Sequence, residues 1–283
     1  MSIKLIAVDM DGTFLNGEKK YNKQRFLAQF LQLQARNIHF VAASGNQLWT
    51  LKNYFSEIQD EIAYVAENGA YVMDGVEEVS FSHFSQDVVN TMVNDLLQRY
   101  ADGVILCGKQ GAYIGSEGKP EAMPKLNKYF KRLQQVDDLK KVDDLICKVT
   151  INTTYYDFET LTNDLKTKSY IQSGDVKMVS SGFGFIDLIV PHKHKAYGLD
   201  FLQKKWQVQD HEILAIGDNN NDIEMVKKAG YGFAVENAIP ELKQVAKYMA
   251  KHNEQEAVLD VIDIVLKAKD EEELTRLCEA ESA

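Results

Sequence analysis

The 283-residue chain is poor in cysteine and has neither a long apolar run nor an excess of basic side chains. Its cysteines, Cys107, Cys147 and Cys278, lie far apart, and none belongs to a CxxC pair. This spacing argues against a disulfide framework and a zinc site, and it favours a reducing compartment. No stretch approaches the roughly 18 apolar residues of a membrane span, so we expect a soluble, cytoplasmic protein with no membrane partner.

The charge is unbalanced towards acid, with 32 basic and 42 acidic side chains and a formal net charge of −10. An excess of negative charge argues against general binding to nucleic acid or to anionic membranes. Hydrophobic residues make up 45% of the chain, which is enough for buried cores. The length allows one large domain or two domains of ordinary size, and the sequence leaves open whether the protein is a monomer or a homo-oligomer.

Strand and helix patterns alternate at both ends of the chain. Short apolar runs at 3–8, 38–43 and 62–66 predict buried strands, and helical spacing separates them. The same alternation resumes at Lys195 and continues to a closing helix at 257–266. This pattern predicts an α/β core built on a doubly wound parallel sheet, whose ligands bind at the carboxyl ends of the strands.

The middle of the chain has a different pattern. Strand candidates at 104–107 and 112–114 are joined by a short glycine turn, and further candidates follow at 146–151, 176–180 and 185–190. Adjacent strands with short turns and accompanying helices predict an α+β module. We expect core residues 1–81 and 188–283, with 82–187 inserted as a second domain. The acidic segment 267–283 predicts either a solvated helix or a frayed tail.

A pair of acids follows the first strand in the sequence DMDGT, at Asp9 and Asp11. One carboxylate of such a pair can attack phosphorus and carry an aspartyl-phosphate, while the other protonates the leaving oxygen and later assists water. An isolated DxD is more often a solvated loop. The assignment therefore depends on other motifs at the same edge of the sheet.

Ser44-Gly45-Asn46 follows the second strand, and Lys195 opens the first helix after the insertion. The serine hydroxyl and the amides at the start of the next helix can hold phosphate oxygens, although ordinary helix capping uses the same residue types. A lysine at that position can neutralise a nucleophile and a phosphate, although most lysines are simply solvated.

The sequence GDNNND follows another apolar strand and places Asp218 at its tip, with Asp222 one turn later. Asp218 can complete a magnesium site with Asp9, because Mg²⁺ prefers hard oxygen ligands. The run is also compatible with a polar loop, and it lacks the glycine and the distal glutamate of an EF-hand. Together the four motifs place acid, hydroxyl, lysine and acid at one sheet edge, an arrangement that favours phosphoryl transfer.

The four motifs resemble those of the haloacid dehalogenase superfamily: DMDGT at 9–13, SGN at 44–46, Lys195 and GDNNND at 217–222. The stretches VDMDGTFLN, ASGNQ, VAENGA, SGFGFIDLIVP and HKAYG are most similar to Cof-type bacterial sugar phosphatases of subfamily IIB. The resemblance implies a Rossmann-like core with an inserted α+β cap of the C2 type. It also implies a Mg²⁺-dependent phosphatase that acts on small phosphorylated sugars.

The resemblance implies specific roles for the acids. Asp9 would be the nucleophile and Asp11 the acid/base. Magnesium would be held by Asp9, by the backbone carbonyl of Asp11 and by Asp218, with Asp222 supporting the metal site.

The phosphate would be held, again by resemblance, by Ser44, Gly45, Lys195 and Asn221. Many relatives carry Thr-Gly-Arg where this chain has Ser-Gly-Asn, so the guanidinium contact expected at position 46 is absent here. The substrate would be selected by cap side chains, and the sequence does not choose among Tyr113, Lys148, Ser181, Phe183 and the polar residues near Asn68.

Two other functions use a similar set of residues. A phosphomutase of the phosphomannomutase type would return the phosphoryl group to a sugar and not to water. A receiver-like module would accept phosphate on Asp9 without metabolic turnover, but an insertion of about a hundred residues, suited to closing over a ligand, argues against it. A halide-releasing dehalogenase would leave Asp11 and Asp218 without a function.

Overall fold

The computed structural model describes residues 3–116, 126–182 and 184–282. The chain forms two compact units. The first consists of the chain up to Ser44, Phe55–Ser80 and the chain from His194 onward. The second consists of Gly45–Tyr54 and Phe81–Lys193. The second unit thus begins at Phe81, one residue before the expected boundary at 82, and ends at Lys193, six residues after the expected boundary at 187. It also includes Gly45–Tyr54, which directly follow Ser44.

The strands follow the alternation read from the sequence and add several short ones. In chain order they are β1 (Leu5–Asp9), β2 (His39–Ala43), β3 (Ala63–Ala66), β4 (Tyr71–Asp74), β5 (Glu77–Phe81), β6 (Val104–Gly108), β7 (Ala112–Gly115), β8 (Leu133–Val136), β9 (Ile146–Asn152), β10 (Lys177–Gly182), β11 (Phe185–Ile189), β12 (Ile213–Gly217), β13 (Tyr231–Val235) and β14 (Tyr248–Ala250).

The α-helices lie between these strands and at the end of the chain. In chain order they are α1 (Lys23–Ala35), α2 (Leu48–Tyr54), α3 (Gln86–Tyr100), α4 (Phe158–Lys166), α5 (Ser169–Gln172), α6 (Lys195–Trp206), α7 (Ile223–Lys228), α8 (Pro240–Val245), α9 (Ala257–Lys267) and α10 (Glu271–Glu281). No helix in the described ranges is both long enough and apolar enough to cross a bilayer.

The first unit is built on a mostly parallel sheet with the strand order β14-β13-β12-β1-β2-β3-β4-β5. The central strand β1 pairs in parallel with β2 and β12, and all five of its residues are buried. Leu5 and Ala7 pack with Leu199 of α6 on one face of the sheet. Burial on both faces explains why this strand is a continuous apolar run, and it sets Asp9 at the carboxyl end of the sheet's centre.

The second unit is an α+β structure with the strand order β10-β11-β9-β6-β7-β8. Neighbouring strands are antiparallel except for β7 and β8, which are parallel. Apolar side chains of α3, α4 and α5 pack with one face of the sheet, where Leu106, Val149 and Leu188 point. The predicted fold class, a parallel α/β core with an inserted α+β module, is confirmed.

Some elements differ from those expected from the sequence or lie outside the described residues. The acidic segment 267–283, predicted as a solvated helix or a frayed tail, contains α10, whose Leu274 and Cys278 are buried. The short strands β4, β5, β8 and β14 were not predicted from the sequence. Of the candidate sugar-reading residues, Phe183 and the side chain of Ser181 lie outside the described part of the structure.

Candidate active site

A buried lysine links two acids at the carboxyl end of the parallel sheet. Asp9 ends β1 and is 5% exposed, and Lys195 begins α6 and is fully buried. The Lys195 ammonium donates to Oδ1 of Asp9, and it donates to Oδ1 of Asp222 at 2.6 Å. The structure therefore brings together three of the residues that the sequence assigned to the site.

The position of Lys195 depends on a close approach between helix α6 and the chain after β3. Gly69 has φ +93°, and a Cβ there would lie 2.2 Å from the carbonyl oxygen of His194. A Cβ on Gly198 would lie 2.5 Å from Cγ1 of Val65 and 3.0 Å from Cα of Gly69. These contacts leave no room for a side chain at either glycine. The helix that carries Lys195 can approach the sheet this closely only because both residues are glycine.

The loop after β12 positions the other two acids. Oδ2 of Asp222 accepts hydrogen bonds from the backbone N–H groups of Asp218 and Asn219, both at 3.1 Å. The carboxylate of Asp222 is thus engaged by Lys195 on one oxygen and by the loop backbone on the other. The hydroxyl of Thr13 donates to Oδ1 of Asp218 at 3.0 Å, which joins this loop to the loop after β1.

The acids outnumber the lysine in this cluster. One carboxylate oxygen from each of Asp9, Asp218 and Asp222 lies within 4.8 Å of the others. Burial raises the pKa of Asp9 well above its usual range, an effect that Lys195 opposes and that Asp222 and Asp218 reinforce. Burial and the charge of Asp222 also raise the pKa of Asp218. Burial disfavours the Lys195 ammonium, but attraction to Asp222 and Asp9 outweighs it and raises the pKa of Lys195.

This donor set fits a hard divalent cation. Three carboxylates facing one ammonium leave an excess of negative charge in a buried place, and carboxylate oxygens are the ligands that Mg²⁺ prefers. Because the oxygens of Asp222 are taken by Lys195 and backbone amides, Asp9 and Asp218 are the acids best suited to ligate a metal.

Asp11 is held in a different environment, at the start of the loop after β1. Its Oδ1 is 2.6 Å from the ammonium of Lys19, and its side chain is 25% exposed. Asp11 is not part of the cluster formed by Asp9, Asp218 and Asp222 among the residues that the structure describes.

Two of the predicted phosphate-binding residues, Ser44 and Asn221, are connected through Asn68. The backbone N–H of Asn68 donates to the carbonyl of Ser44 at 3.0 Å, and its side-chain oxygen accepts from Asn221 at 3.0 Å. Asn68 is buried and has φ +55°, which few residue types other than glycine and asparagine adopt readily. Gly45 belongs to the second unit, where its carbonyl accepts a hydrogen bond from Lys148 at 3.0 Å.

The second unit contains a buried polar cluster on strands β9 and β11. Lys148 lies 3.7 Å from Oδ2 of Asp187, and the hydroxyl of Thr150 donates to Oδ1 of Asp187 at 2.6 Å. Tyr113, another candidate sugar-reading residue, donates to Asp144 at 3.0 Å. Two of the candidate cap residues thus lie in different polar groups, Lys148 beside Asp187 and Tyr113 beside Asp144.

Three residues contact site residues in ways that the sequence did not predict. Thr13 was quoted only within the DMDGT motif, although its hydroxyl follows the acid pair directly. Asn68 was named only for the polar residues near it, as candidates to select the substrate, although an Asn-Gly turn after a buried strand could have indicated a side chain at the sheet edge. Lys19 lies in a polar loop, and no pattern in the sequence indicates its contact with Asp11.

The chain is similar in sequence to proteins of a known family. The haloacid dehalogenase-like hydrolase family matches residues 6–262. The 5-amino-6-(5-phospho-D-ribitylamino)uracil phosphatase YbjI of Escherichia coli (strain K12) is 44% identical over 268 residues, which are 94% of this chain and 97% of that protein. A phosphoglycolate phosphatase of Methanococcoides burtonii is 24% identical over 94% of this chain and 98% of that protein.

Two solved structures have a similar fold. SMU.1108c from Streptococcus mutans UA159 superposes with a TM-score of 0.84 at 30% identity, covering 94% of this chain and 100% of that chain. The HAD subclass IIB sugar phosphatase BT4131 shares the fold, with a TM-score of 0.75 at 20% identity, covering 92% and 98% of the two chains. This chain therefore belongs to the haloacid dehalogenase-like hydrolase family, and it is a phosphatase that hydrolyses phosphoric monoesters.

Proposed function

We propose that the protein is a Mg²⁺-dependent phosphatase of small phosphorylated sugars and sugar alcohols, and that it acts through an aspartyl-phosphate on Asp9. The observation that carries this proposal is the fully buried Lys195, which contacts Asp9 and Asp222 beside Asp218. A buried lysine among acids can neutralise both the nucleophile and the phosphoryl oxygens as charge develops on them.

The chemistry takes place in two steps. In the first, a carboxylate oxygen of Asp9 forms a bond to phosphorus while the bond to the ester oxygen breaks, and Asp11 gives its proton to the departing alkoxide. In the second, water attacks phosphorus, the bond between phosphorus and Asp9 breaks, and Asp11 takes a proton from the water. The products are an alcohol and inorganic phosphate, and both acids return to their starting states.

Four residues would hold the phosphoryl group: Ser44, Gly45, Lys195 and Asn221. The link from Ser44 through Asn68 to Asn221 supports this assignment for two of them, because it keeps both at the same sheet edge. Asn46 supplies no guanidinium, so Lys195 carries more of the positive charge than in relatives with an arginine there.

Asp9, Asp218 and the backbone carbonyl of Asp11 would hold the metal, with Asp222 fixing the loop that carries Asp218. When bound, Mg²⁺ supplies positive charge opposite the phosphoryl oxygens. Thr13 orients the carboxylate of Asp218 through its hydroxyl. Gly12 has φ +82°, and a Cβ there would lie 2.6 Å from Oδ2 of Asp218, so only glycine permits the two loops to come this close.

The substrate class follows from the Cof-type resemblance and from the relatives' names. YbjI is named for a substrate whose phosphate is carried by a ribityl chain, which is a sugar alcohol. We extend this class to the present chain, with phosphate on a primary alcohol of a sugar or polyol. The location we propose is the cytoplasm, since the three cysteines are buried thiols that suit a reducing compartment.

The test is phosphate release from a panel of sugar and polyol phosphates, including 5-amino-6-(5-phospho-D-ribitylamino)uracil and phosphoglycolate, with and without Mg²⁺. We expect release of inorganic phosphate that stops on chelation and returns with Mg²⁺. Transfer of phosphate to a second sugar without release would instead indicate a phosphomutase. Full activity after chelation would overturn the metal assignment, and no release from any sugar or polyol phosphate would overturn the substrate class.

Binding of the metal can be measured apart from turnover. Addition of Mg²⁺ should raise the melting temperature of the wild-type protein, because the cation relieves repulsion among buried carboxylates. Asp218→Asn should abolish the shift. The matched control is Asp187→Asn, which changes a buried acid of the second unit and should leave the Mg²⁺ shift intact.

A further inference from the structure

The loop between β1 and α1 carries a lysine in an unusual backbone conformation. Lys19 has φ +60°, in the left-handed region that glycine and asparagine occupy more easily. Its ammonium lies 2.6 Å from Oδ1 of Asp11. The side chains of the pair are 35% and 25% exposed, and ion pairs this accessible to water add little to folding stability. A strained residue that stabilises the fold so little is a candidate for a functional role.

The loop around Lys19 is fixed from within. The side-chain oxygen of Asn16 accepts hydrogen bonds from the backbone N–H groups of Glu18 and Lys20, at 3.0 and 2.9 Å. The backbone N–H of Lys19 donates to the carbonyl of Asn16 at 2.9 Å. The backbone N–H of Gly17 donates to the carboxylate of Glu254. Each of the four successive N–H groups at 17–20 is therefore hydrogen-bonded, and these bonds hold the backbone at the tip of the loop.

The two ends of the loop are fixed by aromatic packing. Phe14 and Tyr21 lie with ring centroids 4.7 Å apart, and both pack against Phe26 of α1 and against Phe55. With both ends and the tip held, the loop returns the chain to Asp11 and presents the Lys19 ammonium to it. The ion pair is therefore a product of the loop's construction and not of a freely moving surface lysine.

We propose that Lys19 is a positioning residue for Asp11 in the phosphatase reaction, and this inference rests on the proposed function of Asp11. By engaging Oδ1, Lys19 fixes the rotation of the carboxyl group, so that Oδ2 is the oxygen that exchanges a proton with the ester oxygen and with water. Oδ1 can accept from Lys19 whether or not Oδ2 carries a proton, so one contact serves both steps.

The inference predicts a dependence on the leaving group. A sugar or polyol leaves as a strongly basic alkoxide and needs a well-placed proton, whereas p-nitrophenolate leaves readily without one. General acid catalysis contributes about 10²- to 10⁴-fold in rate, and a misplaced acid forfeits part of that factor. Substitution of Lys19 should therefore harm hydrolysis of alkyl phosphates far more than hydrolysis of p-nitrophenyl phosphate.

The experiment compares kcat and KM for the best sugar or polyol phosphate and for p-nitrophenyl phosphate. We expect Lys19→Met to lower kcat/KM, which reports phosphoryl transfer to Asp9, by roughly tenfold or more for the alkyl ester and to leave kcat/KM for p-nitrophenyl phosphate nearly unchanged. Lys19→Arg should restore most of the loss. Lys20→Met is the matched control, because Lys20 is 72% exposed and pairs with Glu18 in the same loop, and it should retain wild-type kinetics on both esters.

Two further variants separate positioning from folding. Lys19→Gly removes the ammonium while relieving the backbone strain, so it should be at least as stable as wild type and still lose activity on the alkyl ester. In an Asp11→Asn background, Lys19→Met should cause no additional loss.

The outcomes are distinguishable. An equal loss of kcat/KM on both esters, or an additive loss of kcat/KM in the Asp11→Asn background, would overturn the inference. An inactive wild-type enzyme would instead contradict the proposed function, and an Asp11→Asn variant with no selective loss would contradict the role of Asp11.

Discussion

Each unit of the molecule contains a buried lysine beside a buried aspartate, but the charge around the two lysines differs. Among the described residues of the second unit, Lys148 lies 3.7 Å from Oδ2 of Asp187, Thr150 donates to Oδ1 of Asp187, and the carbonyl of Gly45 accepts from Lys148. In the first unit, Lys195 faces Asp9, Asp222 and the neighbouring Asp218. Among the described groups, one ammonium meets one carboxylate in the second unit, whereas one ammonium meets three carboxylates in the first.

This difference separates the polar cluster at Lys148 from the cluster at Lys195, to which the proposed function assigns the reaction. A balanced buried pair fixes the conformation of its neighbours and needs no further ion. An unbalanced cluster is costly in the free protein, as the raised pKa values of Asp9 and Asp218 show. A bound cation would lower that cost, so under the proposed function the excess acid favours the metal-bound state.

The largest expected effect is on activity, and it distinguishes Asp9 in the first unit from Asp187 in the second. Asp9→Asn should lower kcat by on the order of 10⁴-fold or more, because it removes the proposed nucleophile. It should leave the melting temperature equal or higher, since it also removes one of three crowded charges. Phosphate release and a thermal melt measure both quantities.

Asp187→Asn in the second unit should have the opposite effect on stability from Asp9→Asn. It should leave Lys148 buried without its carboxylate and should lower the melting temperature. A stable Asp187→Asn variant beside an unstable Asp9→Asn variant would break the distinction between the clusters.

An intermediate effect concerns the two lysines. Lys195→Met should lower the free energy of unfolding by about 3 to 5 kcal/mol, the cost of leaving buried charge without its partner. Lys148→Met should cost less, because the single remaining carboxylate keeps its bond to Thr150 and can be protonated. Urea denaturation with chelator measures both variants.

Mg²⁺ should then recover part of the stability of Lys195→Met and none of that of Lys148→Met. Equal recovery in the two variants would show that the metal effect is general and not located at Asp9 and Asp218.

The smallest expected effect is in the pH dependence of stability. The pKa of Asp9 is raised in the folded protein, so between the usual carboxyl value of 3.8 and the raised value the folded state binds more protons than the unfolded state. Stability from this group is therefore greatest near pH 4 and is lost as the pH rises through the raised pKa. In the absence of metal, the stability advantage of Asp9→Asn over wild type should grow with pH across that window.

The pKa of Lys195 is also raised, but its stabilising effect is present below the usual lysine value of 10.5 and is lost only at higher pH. It therefore does not obscure the window above pH 4. Saturating Mg²⁺ should remove the pH dependence of the difference, and an advantage of Asp9→Asn that shrinks with rising pH would contradict the sign.

The sequence predicted the parallel core because β1, β2 and β12 are short apolar runs buried on both faces. It did not predict β14, whose three residues are too few for a pattern, or β5, whose residues 77–81 begin with two exposed acids. The acids and Lys195 were predicted because each directly follows a strand or opens a helix. Lys19 was not, because its contact depends on a left-handed residue in a loop held by Asn16, which no periodicity records.

The two facing glycines, Gly69 and Gly198, limit how this enzyme can change. Neither carries a side chain, yet their contact sets how deeply helix α6 sits and therefore how far the ammonium of Lys195 reaches towards Asp9. A library of random variants should return both positions unchanged, while many exposed positions nearby accept substitution. Protein engineers who alter the substrate preference of this fold should treat the pair as part of the scaffold, because a single added methyl group would withdraw the lysine from its acids.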